Sequence, residues 1–236
     1  MSDPLFLVAS LPAGDELTLD GPEGHHAATV ARLRVGEALL VGDGRGTVAR
    51  ARVSAVGKGT LDLVLGERTF EPAPSPRIVV VQAIAKGDRG ELAVQVMTEV
   101  GVDVIVPWSA ARSVAQWSSD KQHQRWVDTA RAAAKQSRRA WVPVVERAAS
   151  TKDVLGRADG GFVLHEAASP RLSSVDLPTA ADILVVVGPE GGVTPDELSA
   201  FEAAGAQAVR LGSSVLRTST AGPAAIAVLS VAVGRW

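Results

Sequence analysis

The segment Val185-Val186-Val187-Gly188-Pro189-Glu190-Gly191-Gly192-Val193-Thr194-Pro195-Asp196-Glu197 carries the sharpest chemical signal in the chain. An apolar run enters a glycine-rich turn and leaves it as a helix. Thr194 and Glu197 form a capping-box pattern, with Pro195 at the first helical position. Glycines let main-chain N–H and C=O groups meet a ligand closely, and the C-terminal end of a strand is where open α/β sheets bind ligands. The spacing is neither a Walker A loop nor G-x-G-x-x-G, which disfavours a nucleotide-phosphate cradle. A second segment, residues 211–223, also runs from a loop into a helix. Thr218, Ser219 or Thr220 can cap it, and Pro223 belongs in its first turn, where a missing donor does no harm. Arg217 stands just before that start, a cation at the positive end of a helix dipole, which fits an anionic ligand. His165-Glu166 follows another apolar run and is a further site candidate. His25, His26 and His123 lack metal-ligand spacing, so no metal is expected.

Strand–helix alternation from residue 77 onward supplies the frame for these segments. Residues 77–85 and 183–187 are continuous apolar runs, as in strands covered on both faces. Shorter strands are expected at 104–106, 141–145 and 161–164, and helices at 90–100, 120–139, 195–204 and 220–233. The pattern predicts an α/β domain with a mostly parallel sheet. Residues 1–70 have a different rhythm: short alternating segments at 5–9, 16–19, 38–41, 47–56 and 60–65, with one or two helical turns between 25 and 33. That is a small β-barrel or sandwich pattern. Between them lies Glu71-Pro72-Ala73-Pro74-Ser75-Pro76, a stiff proline linker. The expected division is 1–70, linker 71–76, and 77–236.

Composition narrows the chemistry. The chain has 236 residues and no cysteine, which removes disulfides, thiolate metal sites and cysteine nucleophiles together. No run reaches membrane-helix length and the N-terminus lacks a secretory pattern, so a cytoplasmic protein is expected. The net charge of −2 hides an uneven distribution. Residues 112–147 carry eight cations against three anions, and residues 25–52 carry five against two, whereas 150–236 carry six against nine. Arginine pairs phosphates bidentately, and phosphate contacts dominate nucleic-acid affinity, so the two basic blocks point to RNA.

Five segments in order resemble the 16S ribosomal RNA uracil-N3 methyltransferase family of the SPOUT, or trefoil-knot, superfamily. They are His25-His26 through Val30-Ala31-Arg32-Leu33-Arg34; Lys86-Gly87-Asp88 through Thr98-Glu99-Val100-Gly101-Val102; Gln136-Ser137-Arg138-Arg139 with Val142-Pro143; Gly188-Pro189-Glu190-Gly191-Gly192; and Leu216-Arg217-Thr218-Ser219-Thr220-Ala221. The resemblance implies a PUA-like β-barrel that helps hold RNA, followed by a knotted α/β methyltransferase domain, typically a homodimer. It implies S-adenosylmethionine as cofactor, held by Leu164, His165, Glu166, Gly188, Gly191, Gly192, Leu211, Gly212, Leu216 and Thr218, with no metal. RNA contacts are expected from Arg32, Arg34, Lys86, Arg112, Gln136, Arg138 and Arg139. Three positions depart from the family pattern: Ser219 where Glu is common, Val96 where Lys is frequent, and an N-terminus without arginine.

The implied activity is methylation of N3 of a uridine in 16S rRNA, within the small ribosomal subunit. Arg217 is the expected catalytic residue, orienting phosphate or stabilising the developing anion. The base that removes the imide proton stays open among Glu166, Glu190 and a backbone or water route. Two alternatives are a SPOUT ribose 2′-O-methyltransferase of tRNA or rRNA, and a non-catalytic RNA-binding assembly factor.

Overall fold

The computed structural model describes residues 3–115, 117, 119–178 and 182–236. The chain divides into two compact units: one holds the residues up to Ala73 together with Ala134–Val142, the other Pro74–Ala133 with Pro143–Trp236.

The first unit is built on five strands: β1 (Leu5–Leu7), β2 (Glu16–Leu19), β3 (Ala38–Gly42), β4 (Thr47–Val56) and β5 (Leu61–Phe70). They lie in the order β1-β3-β4-β5-β2, with β1 parallel to β3 and the other pairs antiparallel. Alternation decides what faces the core: Ala49, Ala51 and Val53 of β4 and Leu61, Leu63 and Leu65 of β5 are buried, while Arg50 and Arg52 point outward. β5 runs to Phe70, beyond the expected 65, because Thr69 and Phe70 continue the ladder with β4 after the apolar alternation has ended. Between β2 and β3 lie helix α1 (Gly21–His25) and a π-helical turn, His26–Val30. Segment 134–142 completes the unit. Lys135 Nζ donates to Glu23 at 2.7 Å and lies 5.4 Å from the centre of the Phe6 ring, and Trp141 Nε1 donates to the Glu71 carbonyl at 2.8 Å. The sequence pattern had left this segment in the second domain.

The second unit is a parallel sheet in the order β12-β10-β11-β6-β7-β8, with β9 (Ala149–Ser150) also pairing β7. Its strands are β6 (Ile78–Ala83), β7 (Val104–Ser109), β8 (Val144–Val145), β10 (Phe162–Leu164), β11 (Ile183–Val187) and β12 (Gln207–Val209). Every residue of β6 and β11 is buried. Ile78 and Val80 face a core shared with helices α2 (Arg89–Glu99), α3 (Asp120–Gln136) and α6 (Thr218–Ala232). Val79 and Val81 face the opposite core, with α4 (Thr151–Leu155) and α5 (Pro195–Ala203). Full burial on both faces is why these strands read as apolar runs, interrupted in β6 only by the buried Gln82. Four elements escaped the sequence pattern, namely β9, α4, β12 and a 3-10 turn at Leu172–Ser174, each five residues or shorter. The chain moves from β6 to β7 on one side and returns on the other through β10 and β11, which opens crevices at the C-terminal strand ends beside β6. Among the described residues no helix is long and apolar enough to cross a membrane.

Candidate functional site

The turn after β11 is held rigidly. Thr194 caps α5: its Oγ1 accepts from Glu197 N, and Glu197 Oε2 accepts from Thr194 N, each at 3.1 Å. Glu197, only 6% exposed, also accepts from Ala111 N at 2.8 Å and from Thr151 Oγ1 at 3.3 Å. One buried carboxylate therefore fastens the loops after β7 and β11 and the start of α4. Gly188 has no room for a side chain, since a Cβ would lie 2.9 Å from Val193 Cγ2. Gly192 adopts φ +73°, the left-handed region that favours glycine.

The start of α6 is built differently. Thr218 is its first helical residue, and Arg217 sits at the cap position without a side-chain cap. Thr218 Oγ1 donates to the Gly188 carbonyl at 2.8 Å and accepts from Gln82 Nε2 at 3.0 Å. That hydroxyl ties β6, the glycine turn and α6 together; Thr218, Ser219 and Thr220 all lie inside the helix, so none of them caps it as expected. Pro223 stands in the second helical turn rather than the first, and its missing N–H leaves the Ser219 carbonyl without the usual i+4 donor. The Arg217 guanidinium is exposed and, among the described residues, has no hydrogen-bond or ion-pair partner. Val215 and Leu216 beside it are 77% and 37% exposed.

These two loops and the end of β10 enclose a cleft of about 520 Å³. Leu164, His165 and Glu166 form one wall, Gly188, Glu190, Gly191 and Gly192 another, and Leu211, Gly212, Leu216, Arg217 and Thr218 the third. All ten residues expected around a cofactor and the three candidate catalytic residues thus border one space. Their states differ. His165 N donates to the Val209 carbonyl at 2.9 Å, and its Nδ1 accepts from Ala167 N. Glu190 is engaged by Lys86 N at 3.4 Å and by the Arg89 guanidinium at 3.6 Å. Glu166 is exposed and has no partner among the described residues. Sequence reasoning missed Arg210, which also lines the cleft and whose Nε is buried without a hydrogen-bond partner. It follows β12, a strand of only three residues, so no pattern announced it.

The residues expected to touch RNA fall in both units. Lys86 follows β6 and is exposed, whereas the Arg112 guanidinium donates to the Gly191 carbonyl at 2.9 Å and so braces the glycine turn. Arg32 and Arg34 follow the π-helical turn, and Gln136, Arg138 and Arg139 lie at and beyond the end of α3. Arg32 and Arg138 share an unusual backbone: both have φ +55°, and both stand two residues past the last residue of a helix, where glycine is the usual choice. An L-residue there costs about 1 kcal/mol or more. Lys135, counted in the basic block, is paired with Glu23 and only 13% exposed. Among the described residues no group of three or more His, Asp or Glu is placed to hold a metal ion.

Two family descriptions match the chain, an RNA methyltransferase domain over residues 71–230 and an RNA methyltransferase PUA domain over residues 19–66. The chain thus carries a PUA domain followed in sequence by an RNA methyltransferase domain. A Mycobacterium bovis protein named Ribosomal RNA small subunit methyltransferase E is 45% identical, covering 98% of this chain and 93% of its own length. The Bacillus subtilis protein of that name is 30% identical over 90% of this chain and 89% of its own. The crystal structure of the Neisseria gonorrhoeae protein of that name, bound to S-adenosyl methionine, superposes with a TM-score of 0.89 at 28% identity, covering 98% of each chain. The chain belongs to the ribosomal RNA small subunit methyltransferase E family.

Proposed function

We propose that this protein transfers a methyl group from S-adenosylmethionine to N3 of a uridine in small-subunit ribosomal RNA, in the cytoplasm. The observation that carries this reading is the Thr218 junction. It joins the glycine turn to the start of α6, so one cleft is bordered by the glycine turn on one side and, on the other, by an arginine that has no partner among the described residues. The cleft's residues fit the donor. Gly191 N and the Gly192 carbonyl offer main-chain groups, Leu211 and Leu216 offer apolar faces, and Arg210 Nε, buried without a partner among the described residues, calls for an acceptor such as a carboxylate.

When bound, the sulfonium supplies an electrophilic methyl group, so no protein nucleophile is needed. The chain's own residues orient the uracil, remove its imide proton and hold the charge that develops. Glu166 is the better-placed base, because Glu190 is already engaged by Arg89 and Lys86. Arg217, free at the cleft mouth, faces the developing imidate or an RNA phosphate. The N-terminal unit, with residues 71–76 as linker, holds RNA through Arg32, Arg34, Arg138 and Arg139. Lys86 and Gln136 add further contacts. Exposed Val215 and Leu216 beside the cleft support a homodimer, checked by sedimentation.

The test incubates the protein with labelled donor and either naked rRNA or small subunits, then digests the RNA to nucleosides. N3-methyluridine is expected. A ribose-methylated nucleoside would assign the ribose-directed reaction instead, and no label would leave an RNA-binding factor.

A further inference from the structure

The loop between β6 and α2 has two faces. On one, Lys86 N and the Arg89 guanidinium reach Glu190 of the large cleft. On the other, Gly87 and Asp88 line a separate cavity of about 210 Å³, with Glu91, Trp117, Arg125 and Trp126. A single loop is therefore the wall between two adjoining hollows at the C-terminal end of the sheet.

The second cavity has an unusual lining. Trp126 is 4% exposed and packs over Gly90, where a Cβ would lie 2.9 Å from its ring. Trp117 stands edge-on to it, with centroids 5.0 Å apart at 89°, and is only partly buried. Asp88 occupies the cap position of α2 but makes no capping bond. Among the described residues its exposed carboxylate has no hydrogen-bond partner. Arg125 is held loosely, 3.9 Å from Glu91, with its side chain 60% exposed. Trp126 belongs to the core shared by α2, α3 and α6, and Trp117 packs against it, whereas the Asp88 carboxylate adds no bond to α2. An aspartate that caps would stabilise its helix, typically by about 1 kcal/mol.

An aromatic wall takes a planar ring, a free carboxylate takes N–H donors, and a loosely paired guanidinium takes a phosphate. Guanine alone among the RNA bases sets two N–H donors side by side on one edge, matching the two oxygens of a carboxylate. Uracil has one such donor flanked by carbonyl oxygens that a carboxylate repels. We propose that this cavity binds a guanine base of the RNA substrate that flanks the methylated nucleotide, with Asp88 reading its edge. The proposal rests on the RNA methyl-transfer reading above.

The test titrates the full-length protein with GMP, AMP, CMP and UMP, following tryptophan fluorescence. GMP is expected to quench at least about tenfold more tightly than UMP, a discrimination ordinary for a bidentate base contact. Trp117→Phe should remove most of the quench, and Asp88→Asn should weaken GMP about tenfold or more. Equal binding of UMP and GMP, a quench that survives Trp117→Phe, or unchanged GMP binding by Asp88→Asn would each overturn the proposal. A second arm measures methyl transfer to small subunits. Asp88→Asn should raise KM for the particle about tenfold and leave KM for the donor unchanged. Unaltered transfer with GMP binding lost would mean a free guanine nucleotide is the ligand and would overturn the RNA assignment. If the wild type methylates nothing, the functional reading falls, while the nucleotide titration still judges the cavity.

Discussion

The starts of α5 and α6 lie in the same unit, each entered from a loop that borders the large cleft, and they are built on opposite rules. At α5 every local device agrees. Threonine caps, proline follows, and a buried glutamate closes the capping box while bonding two more segments. At α6 the cap position holds an arginine with no capping bond, its cation set against the helix dipole, and a proline interrupts the second turn. Thr218 is firmly tied, and its side-chain bonds run to Gln82 and Gly188 rather than to its own helix. Local devices agree at the start of α5 and conflict at the start of α6, beside the proposed site of methyl transfer.

Substitutions can separate the two roles. The largest effect is expected for Arg217→Ala, which should lower methyl transfer by about 10²- to 10³-fold, the range for loss of a charge-stabilising group. Its donor affinity, read by calorimetry, and its melting temperature should stay near wild type. Equal loss of donor binding would make Arg217 a cofactor residue and erase the contrast between the two helix starts. Glu197→Ala should do the reverse. Leaving Ala111 N and the cap of α5 without their acceptor should remove about 3 kcal/mol of stability in urea unfolding. Activity per folded molecule should fall little at low temperature.

A smaller effect sharpens the comparison in the other unit. Arg32→Gly relieves a left-handed arginine, so stability should rise by about 1 kcal/mol. Affinity for small subunits should drop, and its salt dependence should become shallower by about one phosphate contact. A gain in stability with RNA affinity unchanged would show the conformation to be incidental. The smallest effect concerns a pair away from the cleft. The Arg77 guanidinium, bonding Asp182 at 2.6 and 3.0 Å, holds that carboxyl below its ordinary value despite partial burial. A depressed carboxyl contributes stability above its unfolded pKa, and loses it as pH falls through the folded value. Both side chains are more than a third exposed, so Arg77→Ala should cost about 1 kcal/mol or less at pH 7. The difference should shrink below about pH 4.

What could be read in advance follows the same division. β6 and β11 were legible because burial on both faces forces runs that are almost wholly apolar, and α5 because its cap, proline and glutamate sit at fixed offsets. The glycine turn was legible because a side chain at 188 would collide with Val193. Arg210 was not, since its strand has three residues and periodicity needs more. The engagement of Arg112 with Gly191 was hidden too, because the two are far apart in sequence and an exposed arginine looks alike whether it braces a loop or awaits a phosphate.

The make-up of the N-terminal unit bears on how the protein is made. Chain as far as Ala73 forms most of that unit, but Ala134–Val142 is part of it, and Trp141, Val142 and Lys135 bond Glu71, Gly44 and Glu23. A ribosome must add about 70 more residues before the unit is whole, which takes on the order of several seconds at typical elongation rates. During that interval the nascent strands lack their last packing partner while the parallel sheet is still emerging. Release of the N-terminal unit as a finished module is therefore ruled out by the order of the chain, and its completion is timed by synthesis of the end of α3.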